Sequence, residues 1–263
     1  MEFFYKDYEY PSFGIRSNGY FIPHDFINVF ISDKSIIKSN EVTDEYILPK
    51  DNVTYFGEAN IITKINLNED NYFDFSKAII DVGAWVGVYS FRTFFNFTYA
   101  FEPNKIIYQF LNINLILHDE NRFLRSKTYN VALSDKAEEI DFDGFSNSYT
   151  FSSHELMNEN TMEKIMTHTL DEYNCENVGL IKVDVEGMDE KVLRGGLGTI
   201  IRNNYPPILF ELWPLSMISD NYNIYEEKRN SIISFLKNLG YDILWEWGDF
   251  ETHLAIHPKF YNI

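Results

Sequence analysis

Ile79-Ile80-Asp81-Val82-Gly83-Ala84-Trp85-Val86-Gly87 is an apolar run that ends in an acid and a glycine-containing turn. It has the form of a parallel strand handing over to a helix around a nucleotide-like ligand. Glycine lets the backbone turn sharply there and lets a ligand approach it closely. Nineteen residues beyond Gly83, a second apolar run, Phe97 to Phe101, ends in Glu102. A carboxylate about 20 residues past such a loop stands at the tip of the neighbouring strand, where it holds ribose hydroxyls. Glycines that serve packing alone would explain the turn, but they would not explain Glu102.

The glycine spacing separates the ligands. A dinucleotide pyrophosphate calls for G-x-G-x-x-G at the helix N-terminus. The pattern here is Asp81-x-Gly83-x-x-x-Gly87, with an acid in front and one glycine fewer in the tight turn. That suits a ligand without a pyrophosphate. S-adenosylmethionine fits, with its positive sulfonium and amino groups and its ribose diol.

Two further strand ends carry charge. Gly179 to Val183 reads as a buried strand, and Lys182, Asp184 and Glu186 alternate around its end. In extended backbone the three would point to one side. Crowding a lysine and two acids there costs desolvation energy unless they are paired or used. A salt-bridged strand end is the plain alternative. Pro206 to Pro214 repeats the pattern, with Glu211 after Ile208-Leu209-Phe210. If the two strands are neighbours, Asp184 and Glu211 open into one crevice.

Taken in order, these pieces resemble the FkbM family of S-adenosylmethionine-dependent methyltransferases. The resemblance is carried by Ile80 to Ala84, Tyr99-Ala100-Phe101-Glu102-Pro103, Asn130-Val131-Ala132-Leu133-Ser134 and Thr169-Leu170-Asp171. It continues through Ile181 to Gly187, Val192 to Gly196 and Pro207 to Glu211, and so covers about residues 76–214. It implies O-methylation, most often of sugar or polyketide hydroxyls. It implies that Asp81, Gly83, Ala84, Trp85 and Gly87 shape the cofactor loop, that Glu102 with Pro103 binds the ribose, and that Asn130 to Ser134, Ala132 included, lie by the adenine. It implies too that Asp184 borders the cofactor and that Lys182, Asp184 and Glu186 face the acceptor; Glu211 joins them as a catalytic candidate through its place in the same crevice. Two positions depart from the family pattern: Trp85 stands where Asn is usual, and Asp189 where Glu is usual.

Composition agrees with one globular enzyme. The 263 residues are 45% hydrophobic and 17% aromatic, ample for a core. No apolar run approaches the roughly 18 residues that span a membrane. The first residues lack the basic-then-apolar pattern of a secretory signal. Cys175 is the single cysteine, which points to a reducing, cytoplasmic compartment, that of the cell or, for a viral protein, of its host. Against 40 acidic residues stand 22 basic ones, a net charge of −18 with no basic block. Nucleic-acid enzymes need cationic surface to neutralise phosphates, so RNA and DNA are disfavoured as acceptors. A small molecule or glycan is the expected acceptor.

Strand and helix patterns then alternate in an α/β, doubly wound, Rossmann-like order of mostly parallel strands. Strands are expected at Ile79–Val82, Phe97–Phe101, Lys127–Leu133, Gly179–Val183 and after Pro206. Helices are expected from Val88, over 105–117, as one piece over 189–202, and over 225–239 up to Gly240. A hairpin over 242–257 closes the sheet. Residues 1–70 read as an N-terminal extension, a cap, lid or dimer contact that allows a homo-oligomer, with 71–263 as the catalytic domain. Within the extension, 53–67 reads as a β-hairpin around Gly57 and Asn60. Residues 134–168 read as a polar insertion near the acceptor.

The chemistry expected is in-line methyl transfer, with Asp184 or Glu186 taking the hydroxyl proton and Lys182 orienting the oxygen. Magnesium held by Asp184, Glu211 and Glu186 is an alternative route to the same activation. His154 and His168 rank below the carboxylates as bases. A catalytically inactive scaffold and a nicotinamide oxidoreductase are the competing functions. Three acidic strand tips argue against the first, and the missing glycine against the second.

Overall fold

The computed structural model describes residues 15–17, 20–22, 53–118, 124–142, 163–185, 187–212, 222–248 and 251–261. The chain divides into two units, residues 1–52 and 53–263. In the first, strands β1 (Ile15–Ser17) and β2 (Tyr20–Ile22) pair antiparallel, Ile15 opposite Ile22.

The second unit opens with helix α1, Val53–Leu67, which corrects the expected hairpin. Ile61, Ile62 and Ile65 are all buried, a spacing that forms one stripe on a helix and none on a strand. Asn68, at φ 48°, ends the helix in the left-handed region, where Asn is tolerated. α1 therefore belongs to the unit that carries the main sheet.

Next come β3 (Ala78–Val82), α2 (Val88–Arg92), β4 (Phe97–Phe101), α3 (Lys105–His118) and β5 (Ser126–Tyr129). The expected third strand breaks after Tyr129. Ala132–Leu133 is a separate strand, β6, which pairs parallel with β8 (Glu163–His168) in a three-stranded sheet. β7 (Glu139–Phe142) lies antiparallel to β8, so the described part of the insertion is itself paired structure.

The chain then continues through a 3₁₀ turn (Leu170–Tyr173) to β9 (Val178–Val183), α4 (Asp189–Gly195) and α5 (Leu197–Arg202). β10 (Ile208–Glu211), α6 (Tyr222–Asn238), β11 (Asp242–Leu244), β12 (Thr252–Ile256) and α7 (Pro258–Tyr261) complete it. The single helix expected over 189–202 is broken at Gly196. A Cβ there would stand 2.8 Å from the Leu170 side chain, so the break lets the chain pass the 3₁₀ turn closely.

The main sheet has the order β11-β12-β10-β9-β3-β4-β5. Pairs β3–β4, β4–β5, β3–β9 and β9–β10 are parallel; β12 runs antiparallel to both β10 and β11. Every residue of β3 and β9 is buried, which is why both read as nearly unbroken apolar runs. Two charges interrupt them, Asp81 and Lys182, and the register sets these side by side. The strand order reverses between β3 and β9, so a crevice opens beyond their carboxyl ends.

Candidate functional site

The glycine loop leaves β3 at that crevice. Gly83 has φ 70°, and a Cβ there would lie 1.8 Å from the Asp184 carbonyl oxygen, so only glycine fits between the two strand ends. The N–H groups of Gly83 and Ala84 both donate to the Phe101 carbonyl at 3.0 Å, tying the loop to β4. Trp85 follows in the left-handed region at φ 49°, a conformation that costs a bulky residue about 1–2 kcal/mol. Gly87, at φ 92°, caps α2, and its N–H closes the turn on the Ala84 carbonyl. Asn114 of α3 fixes the far side by donating to the Val86 carbonyl at 2.9 Å.

Glu102 stands at the tip of β4, beside this loop. One carboxylate oxygen accepts the Trp85 N–H at 2.9 Å and the other the Asn104 N–H at 2.8 Å. Burial pushes its pKa up to about 7, against the lowering effect of those two N–H groups and of Lys182. Each oxygen accepts one backbone N–H and carries a second lone pair. The Asn130 amide donates to the carbonyls of Glu102 and Pro103, at 2.9 and 2.8 Å, and so holds this tip against the end of β5. Ala132, half-buried, lies just beyond in β6.

Lys182 lies beneath the loop rather than on an exposed face. It is 5% exposed and donates to the Gly83 carbonyl at 2.8 Å. Its ammonium stands 3.4 Å from one Asp81 oxygen and 3.4 Å from Asp184. Asp81 is fully buried, and its other oxygen accepts the Ser90 hydroxyl of α2 at 2.6 Å. The buried charges are thus paired, and Lys182 converts that pairing into a strut under the loop. Asp184 has left β9; its N–H donates to the Val82 carbonyl, and its side chain is 36% exposed. Of the three residues expected on one face, only Lys182 and Asp184 can be placed, because Glu186 lies outside the described residues.

Glu211 ends β10, next to β9, so its strand tip opens on the same side as Asp184. His168 is engaged elsewhere, with Nδ1 2.9 Å from Glu172; His154 lies outside the described residues. Among the described residues, no three His, Cys, Asp or Glu side chains come together to hold a metal ion. No described helix is long and apolar enough to cross a membrane.

Sequence reasoning overlooked Asn104 and Ser90. Asn104 left a signal, since an Asn three residues before Ile107 is a helix N-cap, and its Oδ1 accepts the Ile106 and Ile107 N–H groups. Ser90 left none, because its role depends on the rotation of α2 over β3.

A mostly parallel sheet in this order, with a glycine turn and an acid at adjacent strand tips beside the switch point, defines the Rossmann-like methyltransferase class. The chain belongs to the Methyltransferase FkbM domain family, which it matches over residues 58–243. No curated protein is significantly similar to it. Among solved structures it is similar to the methyltransferase FkbM from Methylobacillus flagellatus KT, at 16% identity and a TM-score of 0.48, covering 74% of this chain and 47% of that one. The chain therefore spans about half the length of that relative. It is also similar to a putative caffeoyl-CoA O-methyltransferase from Staphylococcus aureus, at 13% identity, TM-score 0.46, with 77% and 89% covered. A cofactor-bound protein from MTB shares 10% identity at a TM-score of 0.45, with 80% and 83% covered.

Proposed function

We propose that the chain is an S-adenosylmethionine-dependent O-methyltransferase acting on a hydroxyl of a sugar or glycan. The observation that carries the cofactor reading is Glu102, whose two oxygens are each fixed by one backbone N–H while the glycine loop turns tightly beside it. That is a preformed receptor for a ribose diol. The loop supports it, since the space beside Gly83 leaves no room for a side chain. Family membership supplies methyl transfer as the reaction; the sugar hydroxyl rests on the family resemblance and on the acidic character of the chain.

When bound, the cofactor supplies an electrophilic methyl group on a sulfonium. The chain's contribution is positioning and proton removal. Asp184 is the base in this reading: it is the part-exposed carboxylate at the switch point, and Lys182 holds it from behind at 3.4 Å. Lys182 acts through Asp184 and through the Gly83 carbonyl, as a positioning residue. Glu186 stays in the proposal as a second acid of the acceptor side, on its sequence position alone.

The test is transfer of a labelled methyl group from S-adenosylmethionine to monosaccharide and oligosaccharide acceptors. Turnover on a sugar hydroxyl that Asp184→Asn reduces at least a hundredfold, with cofactor affinity kept, supports the reading. Turnover only on nitrogen or carbon acceptors would overturn the O-methyl assignment. An absorbance change with NADH would move the chain to the oxidoreductases, and the lack of any cofactor binding would make it a scaffold.

A further inference from the structure

β12 runs antiparallel to β10, with Ala255 opposite Ile208 at the amino end of β10. It therefore leaves the sheet at the end away from the crevice, and His257 follows there, 6% exposed. The imidazole lies flat on the Tyr205 ring, centroids 4.3 Å apart, with Tyr241 edge-on at 5.2 Å. Both ring nitrogens are engaged. Nδ1 accepts the Lys259 N–H at 3.0 Å, so the ring proton is on Nε2, which donates to the Leu239 carbonyl at 3.1 Å. The Lys259 N–H belongs to the first turn of α7, whose other ties are few. Its Lys259 carbonyl accepts the Asn204 amide at 2.8 Å. Its Phe260 is buried, with the Lys77 ammonium 4.4 Å from the ring centroid. Asn204 and Tyr205 are both left-handed, at φ 59° and 57°, a turn that aims one side chain at α7 and the next at His257.

We infer that His257 is a proton-operated latch: neutral, it pins α7 to the amino end of the sheet; protonated, it releases that helix. A second proton can enter the ring only at Nδ1. It turns that nitrogen from acceptor to donor and sets it against the Lys259 N–H. One backbone N–H then loses its partner and a buried cation is formed, both at a cost. The charged groups that face the ring are opposed in sign. Asp242, at the start of β11, favours the cation; Lys259, whose ammonium stands 4.8 Å from the Tyr205 ring, disfavours it. Tyr205 and Tyr241 are neutral, and the Tyr241 hydroxyl is committed to the Pro206 carbonyl at 2.8 Å. Burial outweighs the Leu239 carbonyl and Asp242, so the ring titrates below its ordinary 6.5. A depressed histidine gives stability that is complete above pH 6.5 and is lost as pH falls through the folded value. The latch therefore opens on the acid side, at the far end of β10 from Glu211.

The experiment follows amide hydrogen exchange of the full chain between pH 7.5 and 5, corrected for the intrinsic pH dependence of exchange. Residues 257–261 are the reporter and β9 is the internal control. Protection of 257–261 is expected to fall at least tenfold with a midpoint below pH 6.5, while β9 stays within twofold. His257→Asn puts an acceptor that does not titrate where Nδ1 stands, so its protection over 257–261 should be the same at both ends of the range. In the wild type, the ring carbon shift of ¹³C-labelled His257 should titrate with the same midpoint as the exchange, which keeps the test valid if His257→Asn does not fold. Protection of 257–261 that ignores pH, an equal loss in His257→Asn, a ring midpoint apart from the exchange midpoint, or loss in β9 together with 257–261 would each overturn the latch.

Discussion

At the residue scale the site depends on buried acids held by few partners. Glu102 holds its proton more tightly in the folded chain than in the unfolded one, because burial raises its pKa from 4.5 to about 7. The stability this gives is complete below pH 4.5 and is lost as pH rises through about 7. Asp189 behaves alike, raised from 3.8 to about 7 by burial and by Asp184. His257 is shifted down by burial, so its opposing effect falls below pH 6.5. Between pH 6.5 and 8 the melting temperature of the ligand-free chain is therefore expected to fall, and to fall less in Glu102→Gln; calorimetry at the two pH values checks this. An equal slope in both proteins would show that Glu102 does not titrate there. Lys182→Met leaves Asp81 buried without its ion pair, a change that costs about 3–5 kcal/mol. It is expected to lower the denaturation midpoint markedly and, in whatever fraction folds, to loosen the loop and weaken cofactor binding. Removing Asp81 as well, in Asp81→Asn/Lys182→Met, should restore much of the stability and none of the loop anchoring.

At the scale of elements, the glycine loop is held from three sides: β4 through Phe101, α3 through Asn114, and β9 through Lys182. Gly83→Ala sets a Cβ against the Asp184 carbonyl and puts alanine at φ 70°. The expected result is at least tenfold weaker S-adenosylhomocysteine binding, with a melting temperature several degrees lower, by calorimetric titration and thermal unfolding. Unchanged binding would mean that the loop is not the cofactor cradle. Much of this region was legible in the sequence. β3, β4 and β9 are buried on both faces and read as apolar runs of strand length, and the glycines and Glu102 stand at their ends. α1 was misread because Gly57 and Asn60 look like a turn, whereas burial of Ile61, Ile62 and Ile65 decides for a helix. The Asp81–Lys182 pairing was hidden because strand register joins residues far apart in the chain.

At the scale of the whole molecule, the switch point between β3 and β9 divides the charged strand ends into two groups. Gly83, Glu102 and Asn130 lie over β3, β4 and β5; Asp184, Asp189 and Glu211 lie over β9 and β10. The family match spans both halves. The net charge of −18 bears on partners. At physiological salt the chain is expected not to retard transfer RNA or duplex DNA in a gel-shift titration, since it has few cations with which to release phosphate counterions.

The most direct test of the central claim is the melting temperature of the full chain with and without S-adenosylhomocysteine, in wild type and Glu102→Ala, with NAD as control. At about 100 times the dissociation constant, a bound ligand stabilises by about 2.7 kcal/mol, a shift of several degrees. That shift is expected for the homocysteine product with wild type only, and none with NAD. No shift, a shift with NAD, or a full shift retained in Glu102→Ala would contradict it.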